Sequence, residues 1–154
     1  MQKYLRLSRV VFQKEFQGEK SVKACARFAK YFWVLPISCI GILLIPFVIA
    51  SGGTVSRVSG AIEIEGGFLS RLFLWLRLEA LTVGHIILGP CRESLTRCRA
   101  HEHIHVSQYE RWGALFPFLY LASSVIVFVR GQDPYRKNVF EREAFEASQP
   151  EETA

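Results

Sequence analysis

The chain's 154 residues suffice for one domain with a sizeable core and hardly for two. An apolar fraction of 50% lies at the top of the ordinary globular range, so the distribution of apolar residues, and not their total, decides solubility. The net charge of +5 gathers near the N-terminus without the interleaved aromatics of an RNA-binding module, which excludes nucleic acid as the expected partner.

Residues 1–31 read as a basic, partly helical cytoplasmic arm. Lys3, Arg6, Arg9, Lys14, Lys20, Lys23, Arg27 and Lys30 stand there against only Glu15 and Glu19. Residues 32–50, FWVLPISCIGILLIPFVIA, carry no charge over a length that suits a helix crossing a hydrocarbon core of about 30 Å. Small residues before Ser51 resemble a cleavage site, but the charged stretch ahead is far longer than a signal peptide's, so an uncleaved transmembrane anchor is expected.

Gly52-Gly53 and Ser59-Gly60 mark a loop, and Ala61-Ile62-Glu63-Ile64-Glu65 shows the two-residue alternation of a strand. Residues 68–79 suit an interfacial or packed helix, with Arg71 and Arg77 reaching water. Residues 80–88, rich in β-branched side chains and closed by Gly89-Pro90, predict one buried strand. From Ser94 to Trp112 the pattern is helical, ending at Gly113. The apolar run 114–129 reaches only about 24 Å as a helix, short of a bilayer core. It is expected as a buried core helix or a segment dipping into one leaflet, broken by Pro117 and Ser123-Ser124. A last helix starts after the N-cap Asn138 and runs to about Ala147, followed by an acidic tail, 148–154, with the composition of a disordered segment.

Within the 94–112 helix stands His101-Glu102-His103-Ile104-His105. Histidines four apart project from one helix face about one turn apart, and two such imidazoles can bind one Zn²⁺ at about 2.0–2.1 Å. Glu102 follows the first histidine, where its carboxylate can act as general base on a water activated by the metal. His103 points about 160° away from that face. A catalytic zinc site needs a third protein ligand, and residues 138–146, NVFEREAFE, offer two candidates, Glu141 and Glu143. The two lie about 200° apart on a helix, so only one can face the metal. As residue N3, Glu141 could instead close a capping box with Asn138.

With these two motifs the chain resembles the gluzincins, HExxH zinc peptidases completed by a glutamate from a later helix, which include thermolysin-like and membrane CAAX-protease-like enzymes. The resemblance covers roughly residues 80–147. It implies an α+β, mostly helical, zincin-like core over 51–147, short strands plus an HExxH helix and a later glutamate helix, behind the N-terminal transmembrane helix. It also implies His101, His105 and Glu141 as ligands, Glu102 as catalytic base, and a peptide or protein substrate lying along the strand before the motif. In such families the later helix reads Glu-x-x-Ala-Asp or close to it, and here Phe145 stands where the acid is usual. Tyr135 is a candidate donor to the oxyanion, with a packed ring as the alternative; Gln108 is placed to orient the helix or line the cleft. His85 reads as a core histidine, Asp133 as the cap of the turn at Pro134, and Tyr109 and Trp112 as core or interfacial anchors.

The four cysteines do not make a disulfide framework in a chain of this size. Cys91 and Cys98 could join His101 and His105 in a closed structural site, the alternative to catalysis, alongside a metal-free membrane scaffold with a degenerate motif. With the arm inside and one span, the site faces away from the cytosol; insertion of 68–88 as well returns it to the cytoplasmic side. The sequence leaves oligomeric state open.

Overall fold

A computed structural model describes residues 28–149. The basic arm up to residue 27, with Cys25, and the tail from residue 150 lie outside the described residues. The chain divides into two compact units, Met1–Phe32 and Trp33–Ala154. Everything below concerns the second, apart from the opening turn of its first helix.

The fold is α+β and mostly helical. In chain order come α1 (Phe28–Ala50), β1 (Thr54–Val58), β2 (Ala61–Glu65), α2 (Phe68–Leu76), β3 (Leu81–Val83), β4 (Ile86–Gly89), α3 (Arg92–Trp112), a 3₁₀ turn (Gly113–Leu115), α4 (Phe116–Val129) and α5 (Val139–Ser148). The four strands form one mixed sheet in the order β1-β2-β4-β3. β2 and β4 pair in parallel at its centre, and the two outer pairs are antiparallel.

Two expectations change at the sheet. The glycine-bounded loop after residue 50 contains strand β1, which returns to β2 through Ser59-Gly60, both at positive φ. Glycine and serine there encode a tight turn, not an extended loop. The single strand expected over 80–88 is a hairpin. Gly84, with φ +67°, turns β3 back on β4, and a Cβ on it would lie 2.4 Å from the Ser38 hydroxyl of α1. The apolar run concealed this turn because both of its strands are apolar.

Strand alternation sorts the core into two layers. On one face Ile64, Ile86 and Leu88 pack with Val48 of α1 and with Leu69 and Phe73 of α2. On the other, Ala61 and Ile87 pack with Leu95 and Val106 of α3. Ion pairs tie α3 to β2 on that second face. Arg99 grips Glu63 through two bonds of 2.7 and 3.0 Å, and Arg92 holds Glu65 at 2.8 Å. Glu63 is 1% exposed, so truncating Arg99 strands a buried carboxylate. Such a loss costs about 3–5 kcal/mol for a fully buried pair, and less here because Arg99 reaches solvent.

α1 touches the domain along one stripe, Val34, Ser38, Gly41 and Val48, spaced three, four and seven residues apart. Its opposite face stays exposed and apolar. By length and composition both α1 and the stretch Arg92–Val129, which Gly113 at φ +57° divides into α3 and α4, reach what a membrane span needs. Of the two forms expected of α4, the buried core helix is not what is found: Phe116 and Val127 face inward, while Phe118, Leu121, Phe128 and Val129 are exposed. Pro117 opens the helix instead of breaking it, as suits a residue whose missing N–H needs no partner in the first turn. Ser123 and Ser124 remain helical and use their hydroxyls to hold the segment before α5. Trp112, at the end of α3, is 40% exposed, while Tyr109 is buried against Phe116.

Candidate metal centre

α3 places His101 and His105 one turn apart, with ring centroids 4.8 Å apart and nearly perpendicular. α5 brings Glu141 opposite them. Asn138 sets where α5 begins: its Oδ1 accepts the Phe140 N–H, and its amide donates to the Tyr120 carbonyl and the Ser124 hydroxyl. Three residues later Glu141 is turned inward and 3% exposed. It closes no capping box. Its carboxylate oxygens lie 3.2 Å from His101 Nε2 and 3.4 Å from His105 Nε2, and those two nitrogens are 3.1 Å apart. One ligand atom from each residue falls within 4.8 Å of the others, a group competent to hold a metal ion.

Glu143, the alternative third ligand, points elsewhere. Its carboxylate accepts from Gln108 Nε2 at 2.9 Å and from Arg111 at 3.0 Å. This follows from the 200° that separates it from Glu141. Gln108, fully buried, carries the more telling contact. Its Nε2 is committed to the Phe140 carbonyl and to Glu143, so its Oε1 must accept from His105 Nδ1, 2.8 Å away. That bond places the His105 proton on Nδ1 and turns the Nε2 lone pair towards Glu141. Two imidazole nitrogens and a carboxylate therefore face one another, and Glu141 Oε2 is buried without a hydrogen-bond partner. A cation satisfies all three, and a two-histidine, one-carboxylate set suits zinc.

Without a metal the same geometry stabilises the pair in its charged form, imidazolium against carboxylate. Burial alone would raise the Glu141 pKa, but the His101 and His105 rings outweigh it and bring the carboxyl to about 2. Burial opposes charge on His105, yet Glu141 and Gln108 raise its pKa above the ordinary value.

Thr82 on edge strand β3 donates to Glu102 Oε2 at 2.6 Å, fixing a carboxylate that is 6% exposed. Tyr120 on α4 donates to Glu141 Oε1 at 2.8 Å. Neither residue was singled out from the sequence. Thr82 is a polar residue in an apolar β-branched run, a signal in retrospect, whereas Tyr120 lies in a hydrophobic stretch where a packed ring is the default reading. Tyr135 is half-exposed and meets the Phe145 ring edge-on. Burial and the Glu141 carboxylate both push its phenol pKa up. Phe145 lies against His101, ring centroids 4.7 Å apart, and His101 Nδ1 is buried without a partner.

The remaining candidates are accounted for elsewhere. Asp133 Oδ1 caps its turn by accepting from the Tyr135 and Arg136 amides. His85 lies between Ser38 and Glu110 at one end of the sheet. His103 stays outside the ligand group. Cys98 turns its thiol to Glu79, Cys91 is exposed at the start of α3, and neither joins the histidines. Comparison with known proteins finds no matching family model, no similar curated protein and no similar solved structure.

Proposed function

We propose that the chain is a membrane-associated, zinc-dependent hydrolase of the gluzincin type, acting on peptide bonds. The observation that carries this reading is the convergence of His101, His105 and the buried Glu141 oxygens beside a separately held Glu102. His101 Nε2, His105 Nε2 and Glu141 would hold the ion. Zinc bound there supplies a Lewis acid that polarises a carbonyl and makes water a stronger acid.

The protein's own residues supply the rest. The Thr82 hydroxyl occupies Glu102 Oε2 and leaves Oε1 to take a proton from the attacking water and return it to the leaving amine. Tyr120 steadies Glu141 by occupying Oε1, and Gln108 holds the His105 ring in its ligating tautomer. Both are positioning residues. Tyr135, with its raised phenol pKa, keeps a proton to donate to the oxyanion that develops on the scissile carbonyl. β3, as an edge strand, offers free backbone groups along which an extended peptide can lie. The thiols of Cys91 and Cys98 do not join the histidines, which favours this reading over a closed Cys₂His₂ site.

Glu102→Gln is the decisive variant. Zinc content should remain at one per chain, while hydrolysis of an unstructured protein substrate falls by about 10²–10⁴. His101→Ala should lose the metal as well. Unchanged turnover in Glu102→Gln would end the proposed mechanism.

A further inference from the structure

We infer that α1 lies along the surface of an anionic lipid leaflet instead of crossing the bilayer, with the outer face of the α1–α2 layer buried in lipid. This rests on the membrane association proposed above and adds its geometry. Val48 shares a cluster with Leu88, and from the opposite sheet face Leu95 lies against the adjacent Gly89. At the other end Val34 packs on Tyr109 and Phe116. Thus Val34–Val48 of α1 and Leu95–Tyr109 of α3 run antiparallel on the two faces of the sheet. Each spans fourteen steps, about 21 Å.

That pairing fixes the two helices at a common level. If α1 stood upright with Val34–Val48 in hydrocarbon, the 95–109 stretch of α3 would share its depth. Arg97 lies in that stretch with its side chain 64% exposed, and Arg92 just before it is 52% exposed. A charged side chain tolerated at bilayer depth faces a protein interior or a water-filled cavity. Arg97 pairs with Glu79, itself 63% exposed, and Arg92 with Glu65, but both arginine side chains stay open to the surface. Laying the sheet parallel to the membrane resolves the conflict: α1 and α2 go to the lipid side and α3 to the water side.

The exposed side chains of α1 and α2 match that division. On α1, Cys39, Leu43 and Phe47 project directly away from the stripe that touches the sheet. α2 packs Leu69 and Phe73 inward on the same sheet face and exposes Leu74 and Trp75. Tryptophan is at home at the headgroup level, and Arg71 and Arg77 are placed to reach phosphates. In a free amphipathic helix a polar face looks to water; here the folded domain takes that place. The eight basic against two acidic residues ahead of Phe32 complement an anionic leaflet.

Depth measurement tests the orientation. Nitroxide labels go on Cys39, or on Leu43→Cys or Phe47→Cys with Cys39→Ser, each as the sole cysteine in the full chain carrying Cys25→Ser, Cys91→Ser and Cys98→Ser. The probe is a vesicle of phosphatidylcholine with phosphatidylglycerol, and depth is read from accessibility to oxygen against a water-soluble nickel chelate. An in-plane helix puts all three labels at one shallow depth, and binding weakens when phosphatidylglycerol is omitted. An upright helix spreads the labels over about 12 Å, which overturns the inference and leaves the hydrolase reading untouched. Full water access at all three overturns the inference and the membrane association together, a result independent of any zinc or turnover measurement. Equal binding to phosphatidylcholine alone overturns the anionic preference.

Discussion

His101 and His105 leave adjacent turns of one helix, yet the two sides of the centre they form are built differently. Around His105 the contacts are polar and continuous: Gln108 holds its Nδ1, Glu143 and the Phe140 carbonyl hold Gln108, and Arg111 holds Glu143. Around His101 they are aromatic, with Phe145 on the ring and Tyr135 beyond it, and Nδ1 has no partner. One ligand is oriented by hydrogen bonds and the other by packing. Hydrogen bonding fixes a tautomer and raises basicity, whereas packing fixes only position. The contrast predicts that the affinity of this group for a metal ion would depend more on the polar tie behind His105 than on the packing behind His101.

The largest effect should come from cutting that tie. Gln108→Leu fills the same buried space but removes the acceptor for His105 Nδ1, and zinc affinity in competition with a chelator should fall about 10–100-fold. Affinity equal to that of the unaltered chain would erase the distinction between the two sides. A gain is expected on the other side. Phe145→Asp gives His101 Nδ1 the carboxylate that it lacks, and affinity should rise, up to about 10-fold. A weaker site in that variant would mean that the Phe145 ring contributes more by packing and excluding water than a carboxylate on His101 Nδ1 can.

The smallest effect is the pH dependence of the metal-free chain, read as the urea midpoint. Because His105 has a raised pKa, its contribution is complete below the ordinary histidine value and lost as pH rises through the folded-state value. The Glu141 pKa, lowered to about 2, gives a contribution present above the ordinary carboxylate range and lost as pH falls towards that value. The midpoint should therefore decline at both ends. Saturating zinc should remove the alkaline decline, since the ion takes the place of the imidazole proton.

Much of this arrangement was legible in the sequence because it is local. Histidines four apart share a helix face whatever surrounds them, and Asn138 announces the start of α5, so Glu141 and Glu143 could be assigned to opposite directions before either was located. The hidden parts depend on tertiary placement. Nothing near Tyr120 marks it as a donor, since its acceptor lies 21 residues away. Thr82 meets Glu102 only because a hairpin, read as one strand, turns at Gly84 and brings β3 to the sheet edge beside α3. α1 reads as a free-standing span because uniform apolarity obscures the narrow stripe, with small Ser38 and Gly41, that seats it on the sheet. A Cβ on Gly41 would come within 2.6 Å of Ile86.

Asn138 has a consequence for how this chain can tolerate change in length. Its buried amide ties the N-cap of α5 to α4, so residues early in the preceding loop can be added or removed without moving the helix that follows. The three steps from Asn138 to Glu141 have no such freedom: one residue inserted there keeps the helix and its cap but swings the carboxylate about 100° from the imidazoles. Variation in length should therefore collect between residues 130 and 132, ahead of the Asp133 turn that carries Tyr135, and be absent from there to Glu141.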